Sequence, residues 1–311
     1  MKVFLRPSIL ATIVVLALLP FVIANDYVMD VAIRIGLAAI VAIGLNLLMG
    51  FAGQVSIGHA AFVALGAYGS AIFTSRFGLP ALVALPLSAA VVGLLAWVIA
   101  KPILRLKGHS LTMATLGLGI IVNMVLVNEV GWTGGPDGMA VGPLELAQRA
   151  LEGALAWYGL VALLLVIAIA LSLNLFASPA GRALRALHGS ETAAAVMGVD
   201  VAGFKARVFV LSAVFASVAG SLTAHYSGFI TPGLAGFMPS VELATMVVVG
   251  GMASTYGVVF GAFLLVSLPQ LLGGFEGYEM VLFGLILMLT TIFMPRGIVP
   301  TIAAKLQRRT R

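Results

Sequence analysis

The chain has 311 residues, of which 61% are hydrophobic and only 9% are charged, and its formal net charge is +6. Soluble globular domains usually contain about 25% charged residues, so this composition excludes that class and indicates an integral membrane protein. The absence of cysteine excludes disulfides, cysteine metal sites and thiol catalysis. In a membrane protein, topology explains a positive net charge better than nucleic-acid binding does.

The first hydrophobic segment, residues 8–24, follows Lys2 and Arg6, a pattern that signal peptides share with first transmembrane helices. Val22, Ile23 and Ala24 resemble a small-residue cleavage site. We nevertheless expect the segment to be retained as a helix, because it has nearly spanning length and many more spans follow.

Ten membrane spans are predicted, because hydrophobic segments of about 17 to 25 residues recur along the whole chain. They lie at 8–24, 31–49, 60–75, 80–100, 110–130, 157–176, 208–226, 239–250, 256–272 and 278–294. The segment at 239–250 is short enough to be a half-helix. We therefore predict an all-α polytopic membrane protein with a single transmembrane domain, residues 1–311.

The distribution of Lys and Arg supports this count, because short cytoplasmic loops carry most of the positive charge in membrane proteins. With the amino terminus inside, the cytoplasmic side holds Lys2, Arg6, Lys101, Arg105, Lys107, Arg182, Arg185, Lys205, Arg207, Arg296, Lys305, Arg308, Arg309 and Arg311. The outer side keeps only Arg34, Arg76 and Arg149. Both termini are therefore expected in the cytoplasm.

A glycine-rich stretch with polar residues follows the second span, although its surroundings are apolar. Unpaired polar groups in lipid cost several kcal/mol, so protein or a water-filled cavity must cover this stretch. It is either a turn followed by a small-residue packing face or a broken helix that lines a substrate path. On the second interpretation, the candidates for the path are Asn46, Gly50, Gly53, Gln54, Ser56, Gly58, His59, Thr112, Thr115, Asn123 and Thr245.

The longest outer segment, residues 131–156, begins with a turn-forming cluster, Gly134 to Gly138. Residues 144–155 are then expected to form a short helix on the membrane surface. The segment is either a plain connector or a surface that receives a partner from outside.

The polar cytoplasmic segment at 177–207 is predicted to contain a short helix. Ser190 can cap a helix that begins at Glu191, where an acidic side chain suits the helix dipole. Gly198 would end this helix. Because the segment is rich in alanine, we expect a smooth knob without a hydrophobic anchor, while the arginines before it also suit an ordinary connector.

A second glycine-rich stretch lies at 250–262 and is similar in composition to the first. Spans two to five and seven to ten would run in opposite directions. This arrangement is expected of an inverted repeat in a transporter.

Three of these stretches resemble permeases of branched-chain amino-acid ABC importers, of the LivM type, and the resemblance covers nearly the whole chain. The first stretch is Gly-Phe-Ala-Gly-Gln-Val-Ser-Ile-Gly-His from Gly50 to His59, continued to Tyr68. The second is the run at 250–257, where the family usually has Gly-Gly-x-Gly-Thr and where Ala253 and Ser254 depart from that pattern. The third, Glu-Thr-Ala-Ala followed by a glycine at 191–198, resembles the coupling loop of these permeases.

The resemblance implies the ABC importer permease fold and import of branched-chain amino acids across the bacterial inner membrane. It also implies a second, non-identical permease subunit, a periplasmic substrate-binding protein and separate ATPase subunits. The chain itself has no Gly-x-x-x-x-Gly-Lys-Ser/Thr loop to hold ATP. The expected contacts with the ATPase are Gly181, Arg182, Arg185, Glu191, Ala193, Ala194 and Gly198, and no cofactor or metal is expected.

Other functions stay open at this point. Urea or a short amide would suit a path with few polar groups, and urea permeases share much of the pattern. A secondary transporter that works without ATP usually needs an ionisable group deep in the membrane, whereas Glu129, Glu242 and Glu279 all fall near outer ends of spans. An intramembrane enzyme is disfavoured because no paired carboxylates or metal-ligand cluster stand out and the histidines are scattered.

Overall fold

The computed structural model of the chain describes residues 7–22, 25–106, 108–146, 149–271, 279–294 and 297–309. Several residues used in the predictions lie outside these ranges, among them the proposed cleavage site at Ile23 and Ala24. The charged residues outside them are Lys2, Arg6, Lys107, Glu276, Arg296 and Arg311.

The described part of the chain is almost entirely helical. Its helices are α1 (Pro7–Val22), α2 (Asp26–Asn46), α3 (Ala60–Ser75), α4 (Ala81–Ile103), α5 (His109–Asn128), α6 (Val130–Thr133), α7 (Ala154–Ala177), α8 (Pro179–Gly189), α9 (Glu191–Val196), α10 (Val201–Ser227), α11 (Phe237–Gly250), α12 (Thr255–Leu271), α13 (Glu279–Phe293) and α14 (Ile298–Arg309). All ten predicted spans fall on helices: α1 to α5, α7 and α10 to α13. The helix α14 was not predicted.

Among the described residues, five helices are long and apolar enough to cross a membrane by themselves. They are α2 with its extension to Phe51, α4, α5, α7 and α10. The helices α1, α3, α11 and α12 are apolar but shorter. A mostly helical architecture with several helices of membrane-spanning length is therefore confirmed, while ten crossings and the inverted repeat stay predictions.

The core forms around α10, which packs against α2, α3 and α4. Its contact with α3 is close because each helix has a glycine where the other helix's backbone passes. A Cβ on Gly66 would overlap the backbone of Ser217, and one on Gly220 would overlap the backbone of Val63. Such small residues let membrane helices approach closely. The carbonyl oxygen of Gly66 accepts hydrogen bonds from Ser88 and Ser221 at 3.0 and 2.9 Å.

The loops between α6 and α7 and between α10 and α11 form two small antiparallel pairs of strands. Strand β1 (Met139–Ala140) pairs with β4 (Phe229–Ile230), and β2 (Glu145–Leu146) pairs with β3 (Arg149–Ala150). The predicted surface helix at 144–155 is therefore wrong. Leu144 is buried in a hydrophobic cluster, and its carbonyl accepts a hydrogen bond from the amide of Leu151 at 2.7 Å, which closes a hairpin instead.

Candidate functional site

The glycine-rich stretch interrupts the helical path between α2 and α3. After Asn46 the helix widens into one π-helical turn, Leu47–Phe51, and residues 52–59 are not helical apart from a turn. The amides of Ala52 and Gln54 reach back to the carbonyls of Leu47 and Leu48 at 3.3 and 3.1 Å. We call residues 47–59 the first break.

Three glycines of the first break face three different parts of the molecule. A Cβ on Gly50 would overlap the amide of Ala253, and a Cβ on Gly58 would overlap the carbonyl of Thr115. A Cβ on Gly53 would lie 3.0 Å from Nδ1 of His188 in α8. The first break is therefore in contact with α5, with α8 and with the turn that follows α11.

The polar side chains in and beside the first break are buried but poorly hydrogen-bonded. Gln54 is 3% exposed and Ser56 is 1% exposed, and neither side chain has a partner within the described residues. Asn46 Nδ2 and His59 Nδ1 also lack partners there. These residues contribute five of the eight buried side-chain atoms without partners in the described chain. Such atoms cost free energy unless water, a ligand or another chain supplies the hydrogen bond.

The hydrogen bonds of His59 indicate its tautomer. The hydroxyl of Ser212 donates to the carbonyl of Gly44 at 2.6 Å, so it accepts from Nε2 of His59 at 3.0 Å. The proton of a neutral ring is therefore on Nε2. Nδ1 is left as a buried acceptor that can take a hydrogen bond from a donor outside the described chain.

A second interruption lies between α11 and α12, at residues 251–254, which we call the second break. Ala253 has a positive φ of 62°, unusual for a residue with a side chain. The amide of Ala253 donates to Oδ1 of Asn46 at 2.9 Å, and that of Ser254 donates to the carbonyl of Gly251 at 3.2 Å. Asn46 thus joins the two breaks directly.

The polar segment at 177–207 contains two capped helices. The predicted helix is confirmed as α9: Ser190 Oγ accepts from the amide of Ala193 at 3.2 Å, and Gly198, with φ of 82°, follows the helix. The preceding helix α8 was missed. Its signal was Ser178 followed by Pro179, a cap and a first-turn proline.

One expectation about α9 is wrong, and another is confirmed but incomplete. Its end is not a smooth alanine surface, because Val196 and Met197 are 84% and 83% exposed. Glu191 does more than start the helix, since its carboxylate pairs with the ammonium group of Lys205 from α10, which is buried. No spacing rule predicts this pair, because its members lie on different helices.

The helix α8 lies against the first break. Leu184 and Leu187 are buried beneath it, and Arg185 stacks over the ring of Phe176 with its guanidinium carbon 4.4 Å from the centroid. That ring is 4.6 Å from the ring of Phe51 in the π-helical turn. Together with His188 beside Gly53, these contacts connect the polar segment at 177–207 to the interrupted helix.

The remaining path candidates separate into two groups. Thr112 and Thr115 lie beside the first break, since Thr115 Oγ1 accepts from the amide of Ile57 at 3.2 Å. Asn123 also faces this side: its amide donates to the carbonyl of Pro232 at 2.8 Å and it lines a cavity of about 160 Å³ with Ile57. The hydroxyl of Thr245, by contrast, bonds within its own helix, to Val241.

Comparison with known proteins gives a consistent result. The family model described as "Branched-chain amino acid transport system / permease component" matches residues 27–293. The high-affinity branched-chain amino acid transport system permease protein LivM of Salmonella typhimurium is 32% identical over 97% of this chain and 76% of that protein. LivM of Escherichia coli is 33% identical over 94% and 74%, and BraD of Pseudomonas aeruginosa is 25% identical over 84% and 90%. No solved structure matches the chain.

Proposed function

The chain belongs to the family of branched-chain amino acid transport permease components, and we propose that it is the membrane-spanning subunit of an ABC importer for these amino acids. The family match over residues 27–293 carries this proposal. The sequence has no phosphate-binding loop of its own, so ATP hydrolysis has to come from a separate subunit. The permease would therefore act as a transporter, not as an enzyme.

The surface proposed for the ATPase is the end of α9. Val196 and Met197 are adjacent and almost fully exposed, while Ala194 beneath them is buried. Adjacent exposed apolar side chains on a polar cytoplasmic segment are typical of a protein contact. The predicted contacts Gly181, Arg182 and Arg185 lie on α8, which packs against α9. We therefore assign the direct contact with the ATPase chiefly to α9.

Movement of this surface would reach the membrane helices by two routes. On one route, α8 contacts the first break through Arg185, Phe176 and Phe51. On the other, Glu191 of α9 holds Lys205 of α10. A displacement of α9 would therefore act on the first break and on the central helix together.

The remaining features of the importer follow from family membership. We propose a sister permease subunit, a periplasmic binding protein that meets the outer strands, and a location in the bacterial inner membrane. Ten crossings with both termini in the cytoplasm and one domain over residues 1–311 belong to the same proposal. Reporter fusions at Pro136 and Gly233 should then report the outside, and a fusion at Arg207 the cytoplasm. A cytoplasmic signal at Pro136 would contradict the ten-span topology.

The test of the proposed function replaces both exposed side chains, Val196→Ser with Met197→Ser. In cells that hold the natural partner subunits, leucine uptake should fall at least fivefold and the ATPase should no longer co-purify. Exposed substitutions usually change stability by less than about 0.5 kcal/mol, so the amount of permease in the membrane should not change.

Phe77→Ser on an outer loop is the matched control, because Phe77 is also exposed but lies far from α9 in the chain. It should leave uptake and co-purification unchanged. Glu191→Lys is a poor test, because it would place a like charge beside buried Lys205 and disturb the fold. The importer assignment would be wrong if the purified chain alone, in liposomes, moved leucine down an ion gradient.

A further inference from the structure

A cavity of about 340 Å³ lies between α2, α3, α10 and α11, and Ala60, directly after the first break, is one of its lining residues. Its volume is at the lower end of the range of about 300 to 1,000 Å³ that is usual for small-molecule sites. Most of its wall is apolar, including Leu37, Val41, Leu243 and Met246. Arg34 and Glu242 also line it and bring opposite charges to one apolar cavity.

The guanidinium group of Arg34 is held in place from one side. Its Nε donates to Oδ2 of Asp30 at 2.8 Å, and the hydroxyl of Tyr226 donates to the other oxygen of Asp30. The two terminal nitrogens of Arg34 have no acceptor among the described residues. They form a planar pair of donors of the kind that binds a carboxylate with two parallel hydrogen bonds.

Glu242 brings a carboxylate to the same cavity from α11, one helical turn before Met246. Carboxylates accept hydrogen bonds from ammonium groups. Arg34 and Glu242 both lie near the outer ends of the apolar helices α2 and α11, and ionisable residues in membrane-spanning helices are usually functional.

We propose that this cavity binds the transported amino acid as a zwitterion. Arg34 would bind the α-carboxylate, Glu242 the α-ammonium group, and Leu37, Val41, Leu243 and Met246 the aliphatic side chain. The inference rests on the proposed function and adds a site to it. It also selects against urea, which has neither charge, and against amines or acids that have only one.

Protection of a single cysteine tests the site, because the chain has no native cysteine. Thr223 lines the cavity, and Ser75 is an exposed outer residue that does not. Right-side-out vesicles from cells that express the full chain with its natural partners are treated with a small thiol reagent. Leucine should slow the labelling of Thr223→Cys at least threefold and leave Ser75→Cys unaffected. Isopentylamine and 4-methylpentanoate, each lacking one charge, should not protect.

Charge variants supply the second measurement. Arg34→Gln and Glu242→Gln should each abolish the protection by leucine and raise the KM of leucine uptake about tenfold, which is the scale of one lost charged hydrogen bond. The matched controls are Arg76→Gln and Glu152→Gln, outer charges that do not line the cavity, and their KM should stay within twofold.

The outcomes separate the two proposals. If the Thr223→Cys vesicles take up leucine but leucine does not alter labelling, and both charge variants keep the wild-type KM, the site is wrong while the importer stands. If the unmodified chain with its partners does not take up leucine at all, the proposed function fails first.

Discussion

The two breaks have similar glycine-rich sequences, yet their hydrogen bonding differs. In and beside the second break, the amides of Gly251, Ala253, Ser254 and Gly257 all have acceptors, and the hydroxyl of Thr255 bonds to Ser172 at 3.0 Å. One buried side-chain atom there, the hydroxyl oxygen of Tyr256, lacks a partner in the described chain. In and beside the first break, Gln54, Ser56, His59 and Asn46 keep polar atoms without partners in the described chain. Glycine content therefore indicates close backbone packing. Buried polar groups without partners indicate where water, a ligand or another chain supplies the hydrogen bond.

The largest expected effect comes from adding a side chain at Gly58. A side chain there would overlap the carbonyl of Thr115 in α5, and backbone cannot yield as a flexible side chain can. Gly58→Leu should cost about 3 kcal/mol or more and remove most of the folded permease. The measurement is the monodisperse fraction of solubilised protein.

Gly117→Leu is the matched control for this change. Gly117 lies in α5, the helix that Gly58 contacts, but a Cβ there would meet no atom within 4 Å. It should leave the folded fraction near the wild-type level. Equal behaviour of the two variants would contradict the tight contact between the first break and α5.

The next effect concerns the hydrogen bond between Asn46 and the amide of Ala253, which joins the two breaks. Asn46→Ala leaves the amide of Ala253 without its acceptor, and an unsatisfied buried group costs about 1 to 3 kcal/mol. Thermal unfolding of the solubilised protein should show a clear loss of stability. Asn128→Ala, which removes only an exposed bond within α5, should change stability by less than about 0.5 kcal/mol.

A pair of serine variants then compares the two breaks directly. Ser172→Ala removes a partner of Thr255 at the second break and should cost about 1 kcal/mol. Ser56→Ala removes a hydroxyl without a described partner and should leave stability equal or slightly higher, while leucine uptake falls. If Ser56→Ala were as destabilising as Ser172→Ala, Ser56 would have a structural partner and the comparison would not hold.

The smallest effect on stability is expected at His188, which is exposed in α8 but lies beside Gly53. His188→Ala should change the free energy of unfolding by less than about 0.5 kcal/mol. If α8 transmits movement to the first break, ATP-dependent uptake should still fall severalfold. His109→Ala, an exposed histidine at the start of α5, should leave uptake unchanged.

The sequence predicted the helices well because hydrophobicity and glycine act locally. The third span, 60–75, coincides with α3, and the Ser190 cap and Gly198 stop of α9 are where the local rules place them. Apart from the missed helices α8 and α14 and the wrong helix at 144–155, the failures concern contacts between distant residues. Lys205 with Glu191, Asn46 with Ala253, and the cavity that unites Arg34 with Glu242 depend on how helices pack, and periodicity contains no information about that.

Glycine also misled in one place. The equal treatment of Gly53 and Gly58 as path candidates hides a physical difference that only the fold reveals. Gly58 needs space against a backbone, whereas Gly53 needs its positive φ of 67° and meets only a side chain. Which of the path candidates contact substrate stays a prediction.

The close contact between α3 and α10 has a mechanical consequence. The backbone of Ser217 packs against Gly66, and the backbone of Val63 packs against Gly220, so the two helices are in close contact at two positions. Two such contacts resist sliding of one helix along the other, because a shift of one residue would place Cβ atoms against backbone. Lys205 lies near the start of α10, and α3 begins where the first break ends. The two helices would thus move as one rigid body. A displacement of α10 would move α3 by the same distance, and the change in backbone conformation would occur in the first break.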